Sequence, residues 1–254
     1  MESENITIAT ANAQRGHMIR SSNGLTPFRN VNVLLLSEVK PRRDNLKENL
    51  AKDGFHLAYT DNLDLAIAVR DGYKVLSAQE YPLTSDSTFK RFLASNRMGR
   101  LWGLRNMIVA EIETPTGEII KTATLHPVPR AFEHARRKQV MAMGKIIGNF
   151  DDKELLVIGA DFNHYPNPGK TDLNVREQNN LSSVGLNGKS TFNYRFRGQL
   201  DDMLYRGAGI KPVKTELVDV HSDHKAIITT FSFQKNQSGR PVQKPQREEL
   251  ALAA

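Results

Sequence analysis

The chain has no cysteine among its 254 residues, which excludes disulfides, thiolate nucleophiles and cysteine-based zinc sites. It also lacks a long apolar run. Its apolar runs, such as those at 33–36 and 155–160, fall far short of the roughly 18 residues a membrane span needs. The opening residues, MESENITIAT, carry acidic groups and have no basic start followed by an apolar stretch, so no secretory signal is expected. These absences fit a reducing compartment, and the expectation is a cytoplasmic protein with no stable membrane insertion. Neither an internal repeat nor a heptad pattern is present, which excludes solenoids and coiled coils.

What the chain has in excess is positive charge. Thirty-five Lys and Arg face 28 Asp and Glu, giving a net charge of +7 and a pI near 9.6. A field of that sign concentrates polyanions, nucleic acid first and anionic membrane second. Hydrophobic residues at 39% and charged residues at 25% are ordinary for a folded chain, so disorder throughout is excluded. The end of the chain differs. QKNQSGRPVQKPQR, at 234–247, has no aromatic and one β-branched residue, too little apolar area to offset the entropy of ordering. One folded domain over 1–234 and a flexible basic tail over 235–254 are therefore expected.

Strand signals recur along the body. A β-branched run covers 6–11, and VNVLLLS at 31–37 reads as a strand buried on both faces. Residues 65–70 and 73–78 flank Asp71-Gly72, the signature of a two-residue hairpin. A second hairpin is expected from 107–113 and 118–125 around Thr114-Pro115-Thr116-Gly117. Further strands are expected at 155–160, 200–205 and 226–233. Helix signals are fewer. Pro41 opens a segment that Gly54 would stop, and apolar residues recur at helical spacing over 131–149. Many strands and few helices indicate a mixed-sheet α/β layered domain.

Single polar residues end the apolar strands: Asn12 closes ITIATA, Glu38 closes VLLLS and Asp161 closes LLVIGA. Burying an unpaired carboxylate costs several kcal/mol, roughly, unless a partner neutralises it. Strand ends in α/β sheets are also where ligands bind. Gly159-Ala160-Asp161-Phe162-Asn163 places two oxygen-bearing side chains two positions apart, on one side of an extended segment. His126 follows TATL, carboxylates interrupt Leu200-Asp201-Asp202-Met203-Leu204, and His221-Ser222-Asp223-His224 precedes the last strand.

In chain order these segments are ITIATAN, LLLSE, TATLHP, IGADFN, QLDDML and SDHKAI. Together they resemble the Mg-dependent, deoxyribonuclease-like endonuclease/exonuclease/phosphatase superfamily, over nearly the whole folded body. The resemblance implies a four-layer α/β sandwich, two packed mixed β-sheets flanked by helices. It also implies roles. Glu38 resembles the main ligand of a Mg²⁺ ion, for which Mn²⁺ can substitute, and Asn12 the residue supporting that metal or the water. Asp161 resembles the group that positions or deprotonates the attacking water, and Asn163 a holder of phosphate or water. Asp201 matches the carboxylate that orients a histidine, His224 that histidine, Asp223 an auxiliary metal residue and His126 a second phosphate-binding or leaving-group histidine. Ser37 stands where the family has Gln, and a one-residue slip would exchange Asp201 for Asp202. Asp64 is a candidate for a carboxylate that orients the second histidine. No counterpart is seen of the Tyr and Trp loop elements of abasic-site enzymes, so abasic specificity is disfavoured.

Charge placement suggests the substrate. Acidic residues are absent from 5–37, where Arg15, Arg20 and Arg29 occur. KRFLASNRMGRLWGLR at 90–105 holds Lys90, Arg91, Arg97, Arg100 and Arg105 with Phe92 and Trp102, a mixture that suits phosphates with exposed bases. Arg130, Arg136, Arg137 and Lys138 follow His126. Arg15, Arg91, Arg97, Arg100, Trp102 and Arg130 are the expected nucleic-acid contacts. The reading is a metal-dependent nuclease acting on DNA, and on RNA as a further substrate, with little base specificity and as a monomer. Its rivals are a phosphatase or phosphodiesterase for inositol phosphates or phospholipid head groups, and a nucleic-acid-binding protein without catalysis. A zinc hydrolase built on His164, His221, Asp223 and His224 matches no usual ligand spacing.

Overall fold

The computed structural model describes residues 3–21, 23–40, 45–61, 64–83, 105–164, 168–186, 188–193 and 198–234. Two six-stranded mixed sheets pack face to face. The first contains β1 (Ser3–Asn12), β2 (Val33–Ser37), β3 (Phe55–Thr60), β4 (Leu65–Arg70), β11 (Lys211–Asp219) and β12 (Lys225–Gln234), in the order β11-β12-β1-β2-β4-β3. The second contains β5 (Lys74–Pro82), β6 (Asn106–Glu113), β7 (Ile119–Leu125), β8 (Leu155–Asp161), β9 (Ser182–Ser183) and β10 (Asp201–Arg206), in the order β5-β6-β7-β8-β10-β9. Each sheet has one parallel pair at its centre, β1 with β2 and β7 with β8; the other pairings are antiparallel.

Alternation along each strand creates the layers. Ile8, Leu35, Ile67, Ile112, Val157 and Phe231 meet between the sheets. On the outer face of the first sheet, Leu34, Leu36 and Ala66 pack on Met18 of α1 (His17–Arg20) and Leu50 of α2 (Leu46–Lys52). On the outer face of the second, Leu156 and Ile158 pack on Val140 and Met143 of α3 (Glu133–Ile147) and Val175 of α4 (Lys170–Gln178). Three apolar interfaces make four layers. Each fully buried aliphatic side chain in them contributes about 1.5–3 kcal/mol of transfer free energy.

Two local expectations are corrected. Asp71-Gly72 does form a turn, with Tyr73 N–H bonded to the Arg70 carbonyl and Gly72 at φ 97°, but it joins no hairpin. Both edges of β4 are already taken, by β2 and β3, so β5 crosses to the second sheet and pairs with β6. A turn signal sets a chain reversal; it does not choose the bonding partner. The long helix starts later than its apolar spacing suggests, because Arg130–Phe132 forms a 3-10 turn and Phe132 is 51% exposed at the cap of α3. The hairpin of β6 and β7 has the expected register around its Thr-Pro-Thr-Gly turn. Five elements had no clear signal: α1, β3, α4, β9 and β11. The last reads KPVKTELVD because it is an edge strand, where Pro212 and charged side chains are tolerated at a register shift. No helix among the described residues is long and apolar enough to cross a membrane. The tail over 235–254 lies outside the described residues.

Candidate active site

The two parallel pairs end at one rim. Asn12 lies beside Ser37 at the ends of β1 and β2, so Glu38 is the next residue out; Leu125 lies beside Ala160 at the ends of β7 and β8, so His126 and Asp161 follow there. β10 runs antiparallel to β8 and begins opposite Asp161, at Asp201. Side-chain parity then carries these groups between the sheets: Asn12 shares its face with Ile6 and Ile8, Asp161 with Leu155 and Val157, and Asp201 with Met203. The inter-sheet stripe is thus aliphatic for most of its length and polar at one end. Gly159 lets the sheets close there, since a Cβ at that position would lie 2.6 Å from Thr10 Cβ and 2.9 Å from Leu35 Cδ1.

Asp161 Oδ2 is the centre of the cluster. It accepts Asn12 Nδ2–H at 3.0 Å and lies 3.6 Å from His126 Nε2 and 3.8 Å from His224 Nε2. The same Asn12 nitrogen donates to Glu38 Oε1 at 3.1 Å, while Asn12 Oδ1 accepts Gln14 N–H at 2.9 Å. Each histidine turns its other ring nitrogen to a carboxylate of its own. His224 Nδ1 lies 2.7 Å from Asp201 Oδ2, and His126 Nδ1 lies 3.0 Å from Asp64 Oδ2. Asn163 closes the far side, with its backbone N–H on Asp161 Oδ1 at 2.9 Å and Nδ2 on the Pro127 carbonyl at 2.9 Å. Glu38 and Asn163 hold left-handed backbones, at φ 54° and 53°, a conformation non-glycine residues keep only where their surroundings impose it.

Burial and neighbours set the charges. Burial by itself favours a neutral imidazole at His224, but Asp201 and Asp161 outweigh it and raise its pKa to about 10. Burial would also protonate Asp161, yet the flanking His224 and His126, with the N–H groups of Asn163 and Asn12, hold its pKa below the usual carboxylate value. His126 is raised too: burial opposes its charge, Asp64 favours it, and Arg105 opposes it. Burial likewise favours the acid form of Asp64, but the His126 contact and then Arg105 bring it to about 2. Arg105 pairs with Asp64 and points the same nitrogen at His126 Nδ1, 3.4 Å away.

The low value at Asp64 gives a testable pH dependence. A carboxyl depressed from 3.8 to about 2 contributes stability above its unfolded pKa and loses it as pH falls through the folded one. Asp64→Asn should therefore unfold more easily by about 2 kcal/mol at pH 7, with the difference closing between about pH 4 and pH 2. Denaturant titration with EDTA at several pH values reads this directly. A difference that stays constant down to pH 2 would show that the Asp64 charge is not what stabilises the pocket.

The structure brings together Asn12, Glu38, His126, Asp161, Asn163, Asp201 and His224. It distinguishes Asp201 from its neighbour, because adjacent strand positions face opposite ways. Asp202 points outward from the inter-sheet space, accepting Arg176 at 2.8 Å and Ser183 Oγ at 2.9 Å. Asp223 lies beside the cluster: its carbonyl accepts Asn193 N–H at 2.8 Å and its charge adds to the field that raises His224. Asp64 lies against His126 Nδ1, the contact that an orienting carboxylate would make. His164 belongs to another network, stacked on Phe162 at 5.0 Å with Nε2 3.0 Å from Arg176, and burial drives its pKa down to about 3. It is a neutral packing residue, so the four-ligand zinc arrangement loses one member.

The basic surface needs correction. Arg105 and Arg136 are buried and ion-paired, with Asp64 and Asp172 respectively, and Arg137 is paired with Glu133; Arg105 and Arg136 present no charge to a polyanion. Sequence gave no sign of this, because a basic residue looks the same whether its partner is solvent or a carboxylate many positions away. Arg15 and Arg130 are exposed on the loops that follow Asn12 and His126. Arg91, Arg97, Arg100 and Trp102 lie outside the described residues.

The donor set fits a small divalent cation. Ligand atoms of Glu38, His126 and Asp161 all lie within 4.8 Å of one another, as do those of Asp161, Asp201 and His224. Carboxylate oxygens dominate, which suits Mg²⁺ or Mn²⁺ better than a thiophilic metal.

No sequence-family model and no curated protein matches the chain. Solved structures do. The human Nocturnin catalytic domain with bound sulfate superposes with a TM-score of 0.70 at 17% identity, covering 92% of this chain and 97% of that one. TDP2 of D. rerio complexed with a single-strand DNA product gives 0.70 at 16% identity, covering 90% and 99%. An endonuclease/exonuclease/phosphatase family protein from Bacteroides thetaiotaomicron gives 0.70 at 12% identity, covering 92% and 100%. The chain has the fold of the endonuclease/exonuclease/phosphatase superfamily.

Proposed function

We propose that this chain is a metal-dependent phosphodiesterase that hydrolyses nucleic acid, DNA before RNA, with little base preference. The observation that carries this reading is the surround of Asp161 Oδ2. One carboxylate oxygen faces two imidazole Nε2 atoms, each ring fixed by its own carboxylate, with Glu38 tied to the same Asn12 nitrogen. Such a set stabilises the extra negative charge of a phosphate under attack more than the charge of the resting ester.

Glu38 would hold the metal, with Asn12 fixing its carboxylate and Asp223 nearby as an auxiliary group. When bound, a Mg²⁺ ion neutralises part of the charge on the phosphoryl oxygens. Asp161, deprotonated and buried, orients the attacking water and accepts its proton. His224, held as imidazolium by Asp201, donates a hydrogen bond to the phosphate. His126 offers its Nε2 to a phosphoryl or leaving oxygen from the opposite side, and the second N–H of Asn163 Nδ2 remains for a phosphate oxygen. Support for a nucleic-acid substrate comes from the net charge of +7, from exposed Arg15 and Arg130 on the two rim loops, and from the DNA product held by the TDP2 structure.

Supercoiled plasmid, single-stranded DNA, RNA and an inositol polyphosphate, each incubated with Mg²⁺, test the proposal. Cleavage of DNA is expected, abolished by EDTA and restored by Mg²⁺ or Mn²⁺. Phosphate release from the inositol compound without nucleic-acid cleavage would move the assignment to a phosphatase, and EDTA-resistant cleavage would remove the metal from it.

A further inference from the structure

Helix α3 contributes nothing to the rim itself, yet two of its buried residues are polar: Arg136 at 2% exposure and Gln139 at 0%. They lie three positions apart, on one face. Each reaches a different site loop. Arg136 Nη1 donates to the Phe162 carbonyl at 3.1 Å, inside the Asp161-Phe162-Asn163 turn; its guanidinium also grips both oxygens of Asp172, at 2.9 and 2.7 Å, and its Nε donates to Glu133 Oε2 at 3.1 Å. Gln139 Oε1 accepts Val128 N–H at 2.8 Å, two residues past His126. The two loops are joined by Asn163 Nδ2 on the Pro127 carbonyl at 2.9 Å.

We infer that Arg136 and Gln139 are positioning residues for the proposed reaction, bracing from one helix the two loops that carry Asp161, Asn163 and His126. Core packing alone does not need them. Gln139 Nε2 is buried without a partner among the described residues, a cost that an aliphatic residue would avoid, so what the side chain provides is its oxygen. Arg136 is likewise an expensive way to fill space, since its pair with Asp172 must offset the desolvation of two charges. Its planar fork is what allows one side chain to hold a carboxylate and a carbonyl together. Asn163 sits at the joint between the two loops at positive φ, so the direction of its side chain depends on both loops keeping their places. A displacement of about 1 Å at a reacting group can cost on the order of 10²-fold in rate.

The inference rests on the phosphodiesterase reading, and the test separates the two. Gln139→Met keeps the volume and removes the acceptor; Gln139→Glu restores an oxygen at the same reach. Val140→Ala, one position on in the same helix, opens an apolar cavity and removes no hydrogen bond to either loop, so it controls for lost stability. For DNA cleavage well below each Tm, Gln139→Met should lower kcat about 10- to 100-fold with KM within about threefold. Gln139→Glu should recover most of that loss, and Arg136→Lys should show a comparable kcat defect. Val140→Ala should stay within about twofold of wild type although its Tm falls. Amide hydrogen exchange at Asn163 should accelerate in Gln139→Met and not in Val140→Ala, and this holds even if the wild-type chain cleaves no phosphodiester. Equal kcat in Gln139→Met and Val140→Ala, or unchanged exchange at Asn163, would overturn the brace.

Discussion

Asp161→Asn is expected to lower the rate of DNA cleavage by at least about 10²-fold, and by up to about 10⁴-fold, with the fold intact. The substitution keeps shape and one acceptor oxygen but removes the only group in the cluster that faces Asn12 and both imidazoles at once. Without the carboxylate, no base lies where water must lose its proton, and the His224 cation faces a neutral amide. Removing one member of a buried charge cluster also costs stability, so the rates are compared well below the Tm of each chain. Single-turnover cleavage of a labelled oligonucleotide checks the rate, and circular dichroism checks the fold. Turnover within threefold of wild type would remove Asp161 from the chemistry.

Asp201→Asn should move the alkaline limb of the activity profile. In the wild-type chain the largest favourable influence on the His224 cation is Asp201, with Asp161 next, and the imidazole stays protonated up to about pH 10. A pKa raised above its unfolded value contributes stability that is complete below about pH 6.5 and is lost as pH rises through about 10. With Asn at 201 the ring keeps a partner of similar shape but loses that charge, so its pKa drops to a level set by burial against the remaining Asp161 and Asp223 charges. Activity at pH 8 to 9 should fall by on the order of 10²-fold, and the defect should narrow toward pH 6, where the ring is protonated in either chain. Unfolding followed with EDTA should show the same sign: the variant loses stability against wild type at neutral pH, and the gap closes above about pH 10. Parallel pH profiles for the two chains would mean that His224 does not act as a cation.

The pH profile also separates the two histidines. His224 has carboxylates on both sides and no described cation against it, whereas His126 shares Asp64 with Arg105. Both rings have raised pKa values, but the charges around them differ, Arg105 opposing the cation at His126 alone. The sequence showed two histidines near acidic residues; the intrusion of Arg105 between one of them and its carboxylate was visible only after folding.

Much of the site was legible because it is carried by period-2 alternation. Ile6, Ile8 and Asn12, or Leu155, Val157 and Asp161, lie on one face of an extended strand by geometry alone, and a polar residue ending an aliphatic stripe marks the edge of a core. That local rule indicated most of the strands, a layered fold and the strand-end carboxylates; the choice of Asp201 over Asp202 rested on the family resemblance, and the structure shows Asp202 on the other face. It could not determine pairing. Asp71-Gly72 encodes a turn as well as any hairpin does, but the free edge it would need on β4 is filled by β3, a strand with no strong signal of its own. Nor could it determine which cations face water: Arg105 and Arg136 find Asp64 and Asp172 across 41 and 36 positions of chain, and such distances are closed only by the packed sheets and α3. The sequence by itself decides which residues share a face, because backbone periodicity is local; the tertiary structure decides which faces meet, because strand edges, desolvation and ion pairing are settled between segments that have no neighbourhood until the chain has folded.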